Sequence, residues 1–140
     1  MKENIIKIIF ILLMITVVWF VTPSSIKKDY IGEINDNTSG NTIAKVQMKL
    51  EGEIRNRYSD NKAFFGNLSI HDIEYPNCHF FLNEGSLVTY RTTKNSVIDE
   101  KTLGRIVMMD SFETIQIELG EPIIIDEVEF IDVVIDCKLE

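Results

Sequence analysis

From Ile5 to Val21 the chain reads IIKIIFILLMITVVWFV, with Lys7 the one charge among apolar and hydroxyl-bearing residues. The run is apolar on every side, whereas a soluble core helix would carry a polar stripe at 3.6-residue spacing. Ile8 to Val21 is uncharged for 14 residues, the size of a signal-peptide core, and extension to Ile5 gives 17, the lower edge of a full span. Lys7 can snorkel to the headgroups, Trp19 and Phe20 suit the interfacial aromatic belt, and Pro23 stops the helix. The pattern predicts one N-terminal transmembrane or signal helix within residues 1–23, with residues 5–21 meeting the membrane as a signal anchor or uncleaved signal peptide. Val21-Thr22-Pro23-Ser24-Ser25 matches the small-residue cleavage pattern poorly, so secretion after cleavage is the alternative. No cysteine precedes Cys78, so no lipid-modified amino terminus is expected. Lys2 and Lys7 before the segment nearly balance Lys27 and Lys28 after it; a long domain behind an extreme N-terminal segment is expected outside the cytoplasm.

After the helix the period changes to two. Residues 24–41 are polar, glycine-containing and without sustained alternation, which predicts a stalk. The domain is expected over residues 42–140. In TIAKVQMKLEGEI, Val46, Met48, Leu50 and Ile54 face one way and Lys45, Gln47, Lys49, Glu51 and Glu53 the other, a half-buried strand. Further strands are predicted at Phe64–Ile70, Cys78–Leu82, Leu87–Thr92, Arg105–Met109 and Thr114–Leu119, with Pro76 ending or edging a strand. Turns are expected at 56–61, at His71-Asp72, at Asn83-Glu84-Gly85 and at Asp110-Ser111, and a polar loop over Thr93–Lys101. Ile123–Ile125 opens the last segment. There Ile131, Val133, Ile135, Cys137 and Leu139 share a face against Asp132, Val134, Asp136, Lys138 and Glu140. Seven or eight short strands and no amphipathic helix predict an all-β antiparallel sandwich or small barrel.

Twelve of the 14 bases and 21 of the 22 acids follow Val21, so that part carries a formal charge of −9. That argues against nucleic acid as a partner, which needs a basic footprint, and against docking on anionic lipid. The acidity is concentrated: Asp110–Glu140 holds ten acids and one base, Lys138. Cys78 and Cys137 are the only cysteines. Bridged, they would close a 60-residue loop, worth about 4 kcal/mol in the chain-entropy model; unbridged, they would be buried thiols acting as small hydrophobes. The 22 isoleucines, with many Asn and Lys, point by association to an AT-rich bacterial genome.

The run Phe65-Gly66-x-Leu68-x-Ile70-x-x-Ile73-x-Tyr75-Pro76 resembles a recurrent motif of small exported or membrane-anchored β-domain proteins of low-GC Gram-positive bacteria. Their F-x-G-x-L-x-I-D-G core is followed by an aromatic residue; here Asp72-Ile73 stands where they have D-G. Gly85-x-Leu87-x-Thr89-Tyr90 and Gly104-x-Ile106-x-Met108 followed by Phe112-x-x-Ile115-x-Ile117 resemble their later strands, so the likeness covers roughly Val46 to Leu119. The resemblance implies a β-scaffold and an exported location, and brings no activity, ligand or catalytic residue.

Candidate chemistry is sparse. His71, Asp72, Glu74 and His79 are metal-ligand types, but a turn and Pro76 separate the two histidines and no HExxH-like helix fixes them. Asp126, Glu127, Glu129, Asp132 and Asp136 are oxygen ligands of the kind Ca²⁺ takes, yet they form no D-x-D-x-D-G loop and read as a solvated face. There is no G-x-S-x-G elbow, and adjacent Cys78 and His79 would point to opposite faces of a strand. No catalytic, cofactor-binding or metal site is assigned. The expectation is a membrane-anchored extracytoplasmic β-domain that binds an unknown protein or envelope ligand at the bacterial cell surface. A small hydrolase with converging carboxylates and a structural envelope component are the alternatives.

Overall fold

The computed structural model describes residues 2–36, 38–56, 62–83, 85–109 and 112–140. Helix α1 (Lys2–Val21) runs as a single element of 20 residues, about 30 Å at 1.5 Å per residue. Ten strands follow: β1 (Ser24–Asp36), β2 (Thr42–Asn56), β3 (Lys62–Ile70), β4 (Ile73–Phe81), β5 (Ser86–Lys94), β6 (Val97–Met109), β7 (Thr114–Leu119), β8 (Ile123–Ile125), β9 (Val128–Phe130) and β10 (Val133–Leu139). Eight of them close an antiparallel barrel in the order β1-β10-β7-β6-β5-β4-β3-β2, and β8 with β9 makes a separate hairpin. The all-β expectation holds, in its barrel form and behind a single apolar helix.

Residues 24–41 are not a stalk. Ser24–Asp36 form β1, Thr38 and Ser39 lie in a turn before β2, and β1 pairs with both β2 and β10 to close the barrel. The domain therefore begins at Ser24 rather than at Thr42. Alternation is present in β1, with Tyr30, Gly32 and Ile34 buried and Ile31 and Glu33 exposed, but one inward position is a glycine. A Cβ at Gly32 would lie 2.8 Å from Cys137 Sγ and 3.1 Å from both Ile135 and Val46, so a larger residue has no room there.

Eight strands leave an interior just wide enough for side chains to fill. Tyr30, Met48, Leu50, Phe64, Leu68, Phe80, Ile106, Ile117 and Ile135 fill it from opposing walls, and each is essentially inaccessible to water. The Phe64 and Phe80 rings stack across β3 and β4 with centroids 4.8 Å apart. Phe64 fits because Gly52 and Gly66, directly paired across β2 and β3, carry no side chains beneath its ring. A Cβ on either glycine would come within 2.3 Å of a backbone carbonyl oxygen.

Pro76 does not end its strand. The β3–β4 ladder shifts register between the Gly66–Cys78 and Leu68–Tyr75 pairs, and the bulge so formed holds Pro76 and Asn77, the latter at φ 51°. A proline has no amide hydrogen to give the ladder, so a bulge suits it. A second bulge at Leu103, opposite Val88 and Thr89, bends β6. The expected loop at Thr93–Lys101 is instead a ribbon in which Thr93 pairs with Ile98 and Lys94 with Val97. Its turn residues Asn95 and Ser96 both have positive φ, the type I′ signature. His71-Asp72 is the turn expected, with His71 at φ 56°. The turns expected at 57–61, Glu84 and Asp110-Ser111 lie outside the described residues, and Gly85 sits at φ +70°.

The β8–β9 hairpin folds across the end of the barrel far from α1 and buries Ile123, Ile125 and Phe130 against the core. Ile131, expected on the inward face of the last strand, is exposed in the connection to β10, where Asp132 has φ 54°.

Gly52→Ala and Gly66→Ala are each expected to cost about 3 kcal/mol, the upper range for overpacking, as a lower urea midpoint at unchanged slope. Gly120→Ala, whose Cβ would meet its nearest atoms at 3.6 and 3.9 Å, should cost less than about 0.5 kcal/mol.

Candidate functional site

The outward faces of β2 to β5, in the half of the barrel nearer α1, gather aromatic and charged side chains. Strand pairing sets them in rows. Glu53, Phe65 and His79 are cross-strand partners, as are Arg55, Ala63 and Phe81, and His79 pairs onward with Thr89. Phe65 and His79 stack with centroids 4.5 Å apart and planes 24° apart, and Phe81 meets His79 edge-on at 5.2 Å. The Arg55 guanidinium lies 4.9 Å from the Phe65 centroid and is ion-paired to Glu53. On β5, Arg91 is held by Glu100 of β6 at 2.7 Å.

Glu53, Arg55, Phe65, His79 and Arg91 line a groove of about 430 Å³ with Gly66, Asn77 and Cys78. The groove lies beside the Pro76–Asn77 bulge, and His79–Thr89 is the one pair registered between β4 and β5. It offers aromatic planes for stacking and two guanidinium groups, each already neutralised by a carboxylate. That set can bind; it holds no activated nucleophile. The Cys78 thiol turns inward and donates to the Tyr75 carbonyl at 3.2 Å.

The two cysteines are free, buried thiols. The bridge weighed from the sequence is not formed, because β4 and β10 stand four places apart in a ring of eight and so form opposite walls. Cys137 Sγ packs 3.7 Å from Met48 Sδ. Burial pushes both thiols from the ordinary 9.0 up to about 12, and pushes the Tyr30 and Tyr75 phenols from 10.0 up to about 12.

The metal-type residues are dispersed. His71 sits at the β3–β4 turn, 3.5 Å from Asp72 and 3.4 Å from Asp126 of the β8–β9 hairpin. His79 lies six residues along β4 from Ile73, roughly 20 Å away at strand rise. Glu74 is exposed on β4. Asp126, Glu127, Glu129 and Asp132 belong to the hairpin and its exit. Asp136 is apart from them on the barrel wall, where it accepts from Asn35 at 2.6 Å and Gln116 at 2.7 Å and so links β1, β10 and β7. Among the described residues no three His, Cys, Asp or Glu side chains converge as a metal site. One further polar contact braces the far end, where Tyr90 donates to Glu121 at 3.1 Å with the Tyr75 ring edge-on to it.

The sequence reading missed the groove. Phe65 and His79 are recognisable as outward positions, but their stacking follows from the β3–β4 register, and a two-residue bulge lies between them and the turn that would set it. No family model, curated protein or solved structure matches the chain.

Between pH 9.0 and about 12 the unfolded chain gives up thiol and phenol protons that the folded barrel keeps. Stability is therefore complete below that window and falls as pH rises through it. Urea midpoints measured across the window should decline, and less steeply in a Cys78→Ala/Cys137→Ala variant. Alkylation at neutral pH should leave the mass unchanged until denaturant is added, with or without reductant.

Proposed function

We propose that this chain is a single-pass, membrane-anchored extracytoplasmic module that binds a protein or envelope ligand on the outside of its barrel. The observation that carries the reading is the filled interior. An eight-stranded barrel that transports a small molecule keeps a cavity, and here Tyr30, Phe64, Phe80 and their neighbours occupy that space. Binding is left to the outer surface, where the groove over Phe65 and His79 offers aromatic rings, two guanidinium groups and a carboxylate.

The anchor rests on α1. Its stretch Asn4–Val21 has a mean hydropathy of 2.5 and is unburied, which supports a helix that spans a membrane or serves as a signal. In the groove, a ligand with an anionic group beside an aromatic or apolar one would stack on Phe65 and His79 and take Arg55 or Arg91 from its carboxylate. The exchange conserves ion pairs, so specificity would come from the fit between the two arginines rather than from net charge.

Two measurements test this. Protease added to intact cells should remove the barrel and leave α1 in the membrane fraction; full protection would overturn the topology. A photo-crosslinking amino acid at Arg91 should then give a discrete adduct that the same substitution at Glu33, on the opposite wall, does not give. Identical patterns at both positions would remove the groove from consideration.

A further inference from the structure

The barrel is attached to α1 more tightly than a tether requires. Thr22 and Pro23 alone separate Val21 from Ser24, so the first strand starts within about 10 Å of the helix end. The end of β2 is fastened to the same place, with Asn56 Nδ2 donating to the Phe20 carbonyl at 3.0 Å. Trp19, 82 % exposed, shares a cleft at this junction with Lys62 of β3.

Spreading from that junction along the ends of β2 to β6 is a patch of five side chains: Arg55, Lys62, Phe81, Leu87 and Arg105. Phe81 is 37 % exposed and Leu87 57 %, although each lies on a strand whose outward neighbours further up are polar. Leu87 pairs directly with Arg105. Among the described residues, Glu53 lies inside the patch and is held by Arg55, while Glu118, opposite Arg105 on β7, and Glu113, just before β7, lie at its edge. At the other end of the barrel the exposed side chains include Asp72, Glu74, Asp99, Glu100, Asp126, Glu127, Glu129 and Asp132 with Lys45, Lys94 and Lys101, and also the apolar Val97, Ile98, Ile124, Val128 and Ile131. The formal −9 of the domain is thus unevenly placed. An aromatic ring, a leucine and three cations next to the helix are what a bilayer interface accepts.

We infer that the patch formed by the ends of β2 to β6 is a second membrane contact, seated in the headgroup layer of the bilayer that holds α1. This rests on the anchored reading above. It makes the barrel lean on the membrane in one orientation, with the mouth of the Phe65–His79 groove just above the lipid and the β8–β9 hairpin pointing away.

The single tryptophan allows a clean test in the full chain, reconstituted into phosphatidylcholine–phosphatidylglycerol vesicles whose acyl chains are brominated near the headgroup. Bromine quenches only nearby indole, so Trp19 in the unaltered protein reports whether α1 is inserted. In a Trp19→Phe background, Phe81→Trp and Leu87→Trp should each lose fluorescence to an extent comparable with Trp19. Ile98→Trp, at the tip of the β5–β6 ribbon, should lose none. Quenching of Trp19 with none at positions 81 and 87 would overturn the second contact and leave the anchor standing. Absence of quenching at Trp19 would overturn the anchored reading and the contact with it. Equal quenching at 81, 87 and 98 would show a barrel without fixed orientation and would also overturn the inference.

Discussion

The structure depends on one strand being hydrogen-bonded on both sides. β1 pairs with β2 along almost its whole length and with β10 through Tyr30–Leu139 to Asp36–Val133, joining the first and last strands of the domain. Without it β2 and β10 would both be open edges, and an open edge exposes a row of unpaired amide and carbonyl groups. Closure also completes the inner wall. Tyr30 enters the core from β1 and donates its hydroxyl to the Phe112 carbonyl at 2.9 Å, while Asn35 reaches Asp136 on the outside.

Closure at this radius then dictates where small residues and irregularities must fall. Eight tilted strands enclose a narrow space, and large rings occupy it only where the opposing wall gives way. Gly52 and Gly66 give way to Phe64, and Gly32 to Cys137, Ile135 and Val46. The bulges at Pro76–Asn77 and Leu103 let the ladders turn without breaking. The groove lies beside the first bulge, whose Asn77 is one of its lining residues.

The strongest alternations in the sequence, Val46–Met48–Leu50 and Val133–Ile135–Cys137, correspond to inward rows of β2 and β10 as read. Alternation failed where the inward position is glycine or where a bulge resets the phase, because a two-residue period is read from side chains and a glycine supplies none. Gly32 concealed β1 in this way, and the polar run at Thr93–Lys101 concealed a ribbon that has solvent on both faces. The cysteines illustrate a different limit. Cys78 and Cys137 were each assigned to a strand, but only the strand order shows that those strands stand on opposite walls. The groove was illegible for the same reason, since Phe65 meets His79 through a register that no local pattern encodes.

The central claim is that residues 24–36 are a barrel strand and that the domain starts directly at the helix. Hydrogen exchange of the full chain in lipid tests this most directly. Amides of Tyr30 to Ile34 should be protected to the same degree as those of Met48 and Ile117 in the neighbouring walls, because all are lost together when the barrel opens. Rapid exchange throughout 24–36, with β2 and β10 still protected, would mean a tether and an open sheet, and would contradict the account.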